Sequence, residues 1–447
     1  MAEQQLLSLL GDLLADAKKA GADAADAVAV DGVSLSVAFR LGQPEKVERA
    51  ESADIGLRVF VGRRQAIVSS ADRSRAALAA LVERAVAMAR EVPEDPYCGL
   101  AEPSQLARDL PELDNYDSFE PAPSLLVDWA RRAEDSARAV PGVTNSEGAE
   151  AAWGSGMVAL AASNGFSRFY RTSHSQIVAS VLAGDGAAGM ERDYDYHSAV
   201  YAADLKRPED IGHSAGYRAV RRLGARKMKT CKGPVIFDPR VSGGLFGHLA
   251  GAINGGAITR GTSFLKDSLG KQLFAKGINV IDDPHRRRGL RSKPCDGEGV
   301  ANRRRAIIED GVLTSWILDL RSARQLGLDS TGHAARGTSS PPSPSVSNFY
   351  LEAGTPSVAE LIADIKQGFY VTELIGMGVN GVTGDYSRGA AGFWIENGEI
   401  VHPVNEMTVA GNLKDMFLNL SAANDLEFRT GIDAPTVRID GMTIAGN

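Results

Sequence analysis

Cysteine is scarce in this chain. Only Cys98, Cys231 and Cys295 occur, an odd number with no short spacing, which excludes both a disulfide framework and a zinc ribbon and implies reduced thiols. No apolar run is long enough to read as a transmembrane segment. The opening residues, Met1 to Leu14, are acidic and amphipathic and lack the basic region and cleavage site of a secretory signal, so a cytoplasmic location is expected. Strong charge of one sign is also missing. The formal net charge of −7 offers no broad attraction for a polyanion. The local runs Arg286–Arg288 and Arg303–Arg305 have no interleaved aromatics and no recognition-helix motif, and are expected to be solvated faces rather than a nucleic-acid surface. No nucleophile elbow is present. Ser155, in Trp153-Gly-Ser-Gly-Met157, matches one only superficially, because its neighbours suggest a turn before a strand. His174, His197, His213, His285, His333 and His402 are scattered singly, as hydrogen-bonded structural histidines usually are.

What is there describes an ordinary globular protein, 44% hydrophobic and 23% charged. At 447 residues the chain fits two domains, taking roughly 150 to 200 residues for each. Helical leucine spacing runs over residues 4–21 and stops at Gly21, and β-branched runs follow between residues 33 and 70. Asp72 is placed to cap a helix to about Glu91, and Ser124 one to Val140. The proline-rich and acidic stretch 93–123 reads as a loop crossing the surface. Asn164-Gly165 marks a hairpin with a type I′ turn, Asp310-Gly311 and Asn397-Gly398 mark two further hairpins, a further strand is expected over Gln176–Leu182, and a helix around Asp210–Leu223. Thr355-Pro356 starts a helix to about Gln367. Hairpins joined by separate helices imply an α+β fold of mixed or antiparallel sheets with packed helices, divided into domains over 1–225 and 226–447.

Three motif-like segments carry less chemistry than their letters suggest. Gly376-Met-Gly-Val-Asn-Gly381 matches a dinucleotide fingerprint but runs on towards a hairpin instead of opening a helix, so its glycines serve turns or close backbone approach. Asp282-Asp283-Pro284 and Asp296-Gly-Glu298-Gly could pair carboxylates or hold a hard cation, yet beside proline and glycine they read first as turn residues. The stretch Gly243–Phe264 is more pointed: it has the outline of a metallopeptidase ligand helix without the ligands. A catalytic zinc needs about three protein donors and one open position, and here His248 stands alone with no acid beside it.

Several long blocks, in order along nearly the whole chain, resemble the TldD/TldE (PmbA) family, and within it the TldE/PmbA branch. They are Gly56-Leu-Arg-Val-Phe-Val-Gly, Ala85-Val-Ala-Met-Ala-Arg, Pro93-Glu-Asp-Pro-Tyr, Phe246-Gly-His-Leu-Ala-Gly-Ala-Ile-Asn-Gly, Arg260-Gly-Thr-Ser-Phe-Leu and the Asp282-Asp-Pro region. In the TldD branch the corresponding helix carries His-Glu-three residues-His, and a later cysteine completes a zinc site. Anchored on Gly261-Thr-Ser263, those positions fall on Phe246, Gly247 and Gly251, and no cysteine follows Cys295. The resemblance therefore implies a subunit without catalytic or metal-binding residues of its own. Its zinc-bearing partner would be a TldD-like chain, and its pathway the cleavage of unfolded peptides, as in peptide maturation and antitoxin degradation. Whether the chain forms a homodimer when that partner is absent stays open in the sequence. His248, Asn254, Thr262 and Ser263 are the residues placed to line a cleft or touch a peptide. Two alternatives stay open: an independent metallopeptidase built on His248, His285, Asp282, Asp283 or Glu298, and a gyrase- or nucleic-acid-associated binding protein using the basic triplets.

Overall fold

A computed structural model describes residues 2–186 and 189–446. Along the first half run α1 (Ala2–Lys19), β1 (Ala24–Arg40), β2 (Gln43–Val61), β3 (Arg64–Ser70), α2 (Arg75–Glu91), α3 (Pro123–Arg138), β4 (Val143–Ala162), β5 (Ser167–Ala183), β6 (Glu191–Ala199) and α4 (Pro208–Arg221). The strands form one antiparallel sheet in the order β3-β2-β1-β4-β5-β6. Side chains alternate between the two faces of a strand, and the odd positions of β1 from Ala25 to Phe39 meet helices at both ends. Ala25, Ala27 and Ala29 pack with Leu6, Leu10 and Leu13 of α1 and Leu81 and Ala85 of α2. Leu35, Val37 and Phe39 pack with Leu126 and Ala130 of α3 and Ile211 and Ala215 of α4. The even face is covered at one end only, where Val28, Leu160 and Phe166 lie against Ala107 and Cys295. That second covering layer positions the two halves of the chain against each other.

The second half contains β7 (Cys231–Phe237), α5 (Pro239–Ala252), α6 (Gly255–Thr259), β8 (Val280–Asp282), β9 (Arg305–Glu309), β10 (Val312–Leu313), α7 (Leu320–Leu326), β11 (Ala334–Ala335), β12 (Ser343–Pro344) and β13 (Phe349–Leu351). They are followed by α8 (Val358–Ile362), β14 (Gln367–Ile375), β15 (Asp385–Glu396), β16 (Glu399–Asn412), α9 (Leu413–Leu418), β17 (Leu420–Ala422), β18 (Ile432–Asp433) and β19 (Val437–Ala445). One sheet has the order β16-β15-β14-β7-β19-β17 and closes on itself through a β16–β19 pairing; a second has the order β10-β9-β8-β13-β18. The pairs β7–β14 and β13–β18 are parallel and the rest antiparallel, which is the mixed α+β architecture expected. Helix α5 and strands β7, β14 and β19 share a core built on Phe237, Phe246, Phe274, Phe369 and Ile439.

Local details depart from the sequence reading in instructive ways. The cap of α2 is Ser74, whose hydroxyl accepts from the Ala77 amide, while Asp72 accepts from Ser74 one step earlier. Helix α3 starts at Pro123, without a side-chain cap. The Asn164-Gly165 hairpin is real, but only Gly165 has positive φ, at +95°. The loop is a tight turn closed by the Gly165 amide on the Ala162 carbonyl, not a type I′ turn. Asp310-Gly311 and Asn397-Gly398 both have the two positive φ angles that type I′ needs. The strand at Gln176–Leu182 belongs to the single strand β5, and the helix after Pro356 is the single turn and a half of α8, closed by a Ser357–Glu360 capping box. Gly376 takes φ +81°, and a Cβ on Gly378 would sit 1.8 Å from the Ser387 carbonyl oxygen, so these glycines serve turn and close approach. The 93–123 segment is irregular, as predicted, but part of it runs between the halves and not over the surface. Leu106 bridges to Val300, Ala107 donates to the Gly299 carbonyl, and Ala101, Ala107 and Leu113 are buried.

Candidate functional site

Helix α5 begins at Asp238, whose carboxylate accepts from the Arg240 amide, with Pro239 in the first turn where a missing N–H is harmless. Ser242, Leu245, Phe246, Leu249 and Ala252 form its buried face. Phe246 is completely enclosed and stacks on Phe274 at 6.3 Å, which in turn stacks on Phe417 at 4.6 Å. Gly244, Gly247 and Gly251 follow one another three and four residues apart, so they line one strip of the helix, and a Cβ built on any of them would meet nothing within 4 Å. Of the three positions that the resemblance aligns with ligands, Phe246 is thus a core residue, and Gly247 and Gly251 belong to a bare, open backbone ridge.

His248 sits beside that ridge, half-buried, its ring edge-on to Tyr386 at 6.1 Å. Burial, reinforced by the Arg388 charge, lowers its pKa and favours the neutral ring. Tyr386 is buried, its hydroxyl has no hydrogen-bond partner among the described residues, and burial lifts that hydroxyl to about 12. Asn254 caps α6: its side-chain oxygen accepts from the Gly256 amide at 2.9 Å and its nitrogen donates to the Pro344 carbonyl at 2.7 Å. Ser263 is buried, donating to the Ala252 carbonyl and accepting from the Leu265 amide. Thr262 is exposed and donates weakly to the Ala257 carbonyl at 3.4 Å. Of the four cleft candidates, two are therefore engaged in local backbone capping, and only Thr262 is fully exposed.

The donors named for an independent metal site are held apart by separate tasks. Asp282 is fully buried and accepts from the Ser347 amide and hydroxyl, both at 2.7 Å, and faces His333 Nε2 at 3.1 Å. Both the hydroxyl and the imidazole address the carboxylate, so no base faces Ser347. Asp283 accepts from the His285 amide, and His285 Nε2 meets the Asn302 side-chain oxygen at 2.7 Å. Asp296 accepts from the Glu298, Val300 and Ala334 amides. Cys295 is buried and its thiol is pushed up to about 12, which keeps it protonated. Among the described residues no group of three or more His, Cys, Asp or Glu side chains comes together. A zinc ion needs about three such donors, and the residues of α5 and its surroundings do not fit one.

A buried ionic cluster joins the two halves instead. Arg58 on β2 lies across from Asp26 on β1 and donates to it through Nε at 3.0 Å and through a guanidinium nitrogen. Arg336 donates to the other Asp26 oxygen, and Glu298 approaches Arg58 at 3.4 Å while accepting from the Leu320 amide at 2.9 Å. Burial, followed by the two guanidinium charges, sets Asp26 in opposition, with the charges holding it below its ordinary range. Glu298 is pushed up to about 7, mainly by burial, with Asp296 adding to the push and Arg58 opposing it. Beside the cluster, Gly56 lies against Thr338 so closely that a Cβ would come within 2.1 Å of its carbonyl oxygen. In the sequence Arg58 reads as part of a strand and of the Gly56-Leu-Arg-Val-Phe-Val-Gly block of the family resemblance, not as a member of a buried cluster. A lone arginine inside an apolar run is the signal that could have found it.

Elsewhere, Ser155 is mid-strand in β4 and lines a cavity of about 530 Å³ with Asp31, Glu51, Tyr116 and Arg171, with no histidine on its walls. The basic triplets serve internal contacts: Arg287 and Arg288 pair with Asp114, Arg288 also with Asp204, and Arg304 with Glu352. No helix among the described residues is long and apolar enough to cross a membrane.

Two layered α+β halves meet across a buried ionic cluster, and the second carries a glycine-ridged helix packed on a mixed sheet. Models of the PmbA/TldA metallopeptidase family match the chain throughout: domain 1 over residues 25–89, the central domain over 116–223 and the C-terminal domain over 230–446. The chain is 41% identical to the metalloprotease PmbA of Escherichia coli O157:H7, over 95% of this chain and 92% of that one. It is 37% identical to a PmbA homolog of Haemophilus influenzae over 100% and 97% of the two. The crystal structure of TldE from Thermococcus kodakarensis shares the fold, with a TM-score of 0.89 at 22% identity over 98% of this chain and 100% of that one. The chain belongs to the PmbA/TldD metallopeptidase family.

Proposed function

We propose that this chain is the metal-free subunit of a TldD/TldE-type zinc metalloprotease that cleaves unfolded peptides in the cytoplasm, with the zinc held by a TldD-like partner. The observation that carries the reading is the state of the three ligand-equivalent positions: a core phenylalanine at 246 and side-chain-free backbone at 247 and 251. Neither residue type has a lone pair to give a metal.

Two further features support a role in assembly. The ridge Gly244–Gly247–Gly251 lets another chain approach the helix backbone closely, a use of glycine that repays its low helix propensity. Residues 43–54 of β2 pair with β1 alone, because β3 reaches only Ile55–Val61, so a stretch of strand edge is open to an extended segment. The account is tested by mixing the purified chain with the TldD-like protein of its own genome. Co-elution as a stable complex, with peptide cleavage only when both are present, is the expected result. Cleavage of peptide by this chain alone would overturn the reading.

A further inference from the structure

At the junction of the halves, β6 and the residues after it face the Arg286–Leu290 loop and the Phe428–Asp433 segment across a pocket of about 240 Å³. Four arginines line it, Arg286, Arg287, Arg288 and Arg429, against two carboxylates, Asp204 and Asp433. Most of these arginines are paired with nearby acids, so a preference for an anion has to come from an arginine left without an acceptor.

Three of the arginines are already engaged. Arg287 and Arg288 hold Asp114, Arg288 also holds Asp204 at 2.9 Å, and Arg429 holds Glu427 at 3.1 Å and Asp195 at 3.5 Å. Asp433 is likewise satisfied, accepting from the Arg429, Thr430 and Gly431 amides and the Thr430 hydroxyl. Arg286 differs. Its guanidinium lies 3.6 Å over the Phe428 ring, half-buried, and among the described residues it has no hydrogen-bonding or ion-pairing acceptor. Stacking fixes the plane of the guanidinium and leaves its N–H edge free, the arrangement that recognises a planar oxyanion through two parallel hydrogen bonds. Burial lowers its pKa against the raising charges of Asp433, Tyr350 and Asp283, none of which is within ion-pairing distance.

We propose that this pocket binds a carboxylate, the free C-terminus of a peptide, on the Arg286 fork. A single uncommitted guanidinium with two acids in the same walls suits a monoanion better than a doubly charged phosphate. Phe428, Leu290 and Val200 supply apolar wall for the terminal side chain. The inference rests on the reading of the chain as a peptide-handling subunit. Its test uses the isolated chain and needs neither partner nor zinc, so failure here and failure of co-elution are separate results.

Calorimetric titration of the full chain with N-acetylglycyl-leucine, with the same dipeptide as its C-terminal amide, and with inorganic phosphate tests it. The acid should bind saturably, and the amide, and the acid on Arg286→Gln, should each bind at least about tenfold more weakly. Arg286→Lys keeps the charge without the fork and should fall between. It also serves as the reading should Arg286→Gln melt earlier than the parent. Absence of binding, equal binding of acid and amide, phosphate binding tighter than the acid, or undiminished binding by the variants would each overturn the proposal.

Discussion

Glu298 shows how one side chain takes its character from the contacts around it. In sequence it reads as a turn acid in Asp296-Gly-Glu298-Gly, which is what Asp296 does by capping three amides. Glu298 goes further, reaching the Arg58–Asp26–Arg336 cluster with its carboxyl raised from 4.5 to about 7. A carboxyl that binds its proton more tightly when folded than when unfolded makes stability fall as pH rises through that window. Glu298→Gln should remove this fall: between pH 5 and 8, the difference in urea midpoint between variant and parent should move in favour of the variant as pH rises. A difference that stays flat with pH would show that Glu298 does not titrate there. Histidines with lowered pKa, such as the half-buried His248, push stability the other way with pH, which is why the comparison is between variant and parent. Asp282 and Ser263 were legible in sequence as candidates, but their buried partners were not, because Ser347 and Ala252 are brought in by folding and not by spacing.

At the scale of elements, periodicity carried the reading furthest. The leucines of α1 and the alternation in β1 announce their elements, because a buried face repeats at the period of its backbone. The two-sided burial of β1 at Ala25–Ala29 was not legible, since it depends on the 100–113 segment and Cys295 arriving from far along the chain. Caps misled by one or two residues for a similar reason: Ser74 and Asp72 can each cap, and only the observed entry of the chain into α2 selects Ser74. Helix α5 offers a test of its own. Its ridge glycines have open space above them, so Gly247→Ala and Gly251→Ala should each stabilise the isolated chain by about 0.5–1 kcal/mol, the helix-interior penalty of glycine relative to alanine. The same substitutions should weaken co-elution with the TldD-like partner. Stabilised variants that bind the partner as well as the parent would remove the ridge from the interface.

For the molecule as a whole, two halves are clamped by a cluster of opposite charges buried against each other. Removing one partner of such a cluster would leave an uncompensated buried charge at the contact between the halves and destabilise the fold. Family membership was legible from ordered blocks of sequence, and two residues of the first block, Gly56 and Arg58, turn out to sit at the contact between the halves. In the proposed account, the donor positions of the family's ligand helix are a core phenylalanine and bare backbone in this chain. The measurement that bears on this most directly is the metal content of the purified chain, alone and in complex with its partner, after equilibration with excess zinc and desalting. The account predicts no stoichiometric zinc in the isolated chain and about one ion per partner subunit in the complex. One tightly held zinc per isolated chain would contradict it.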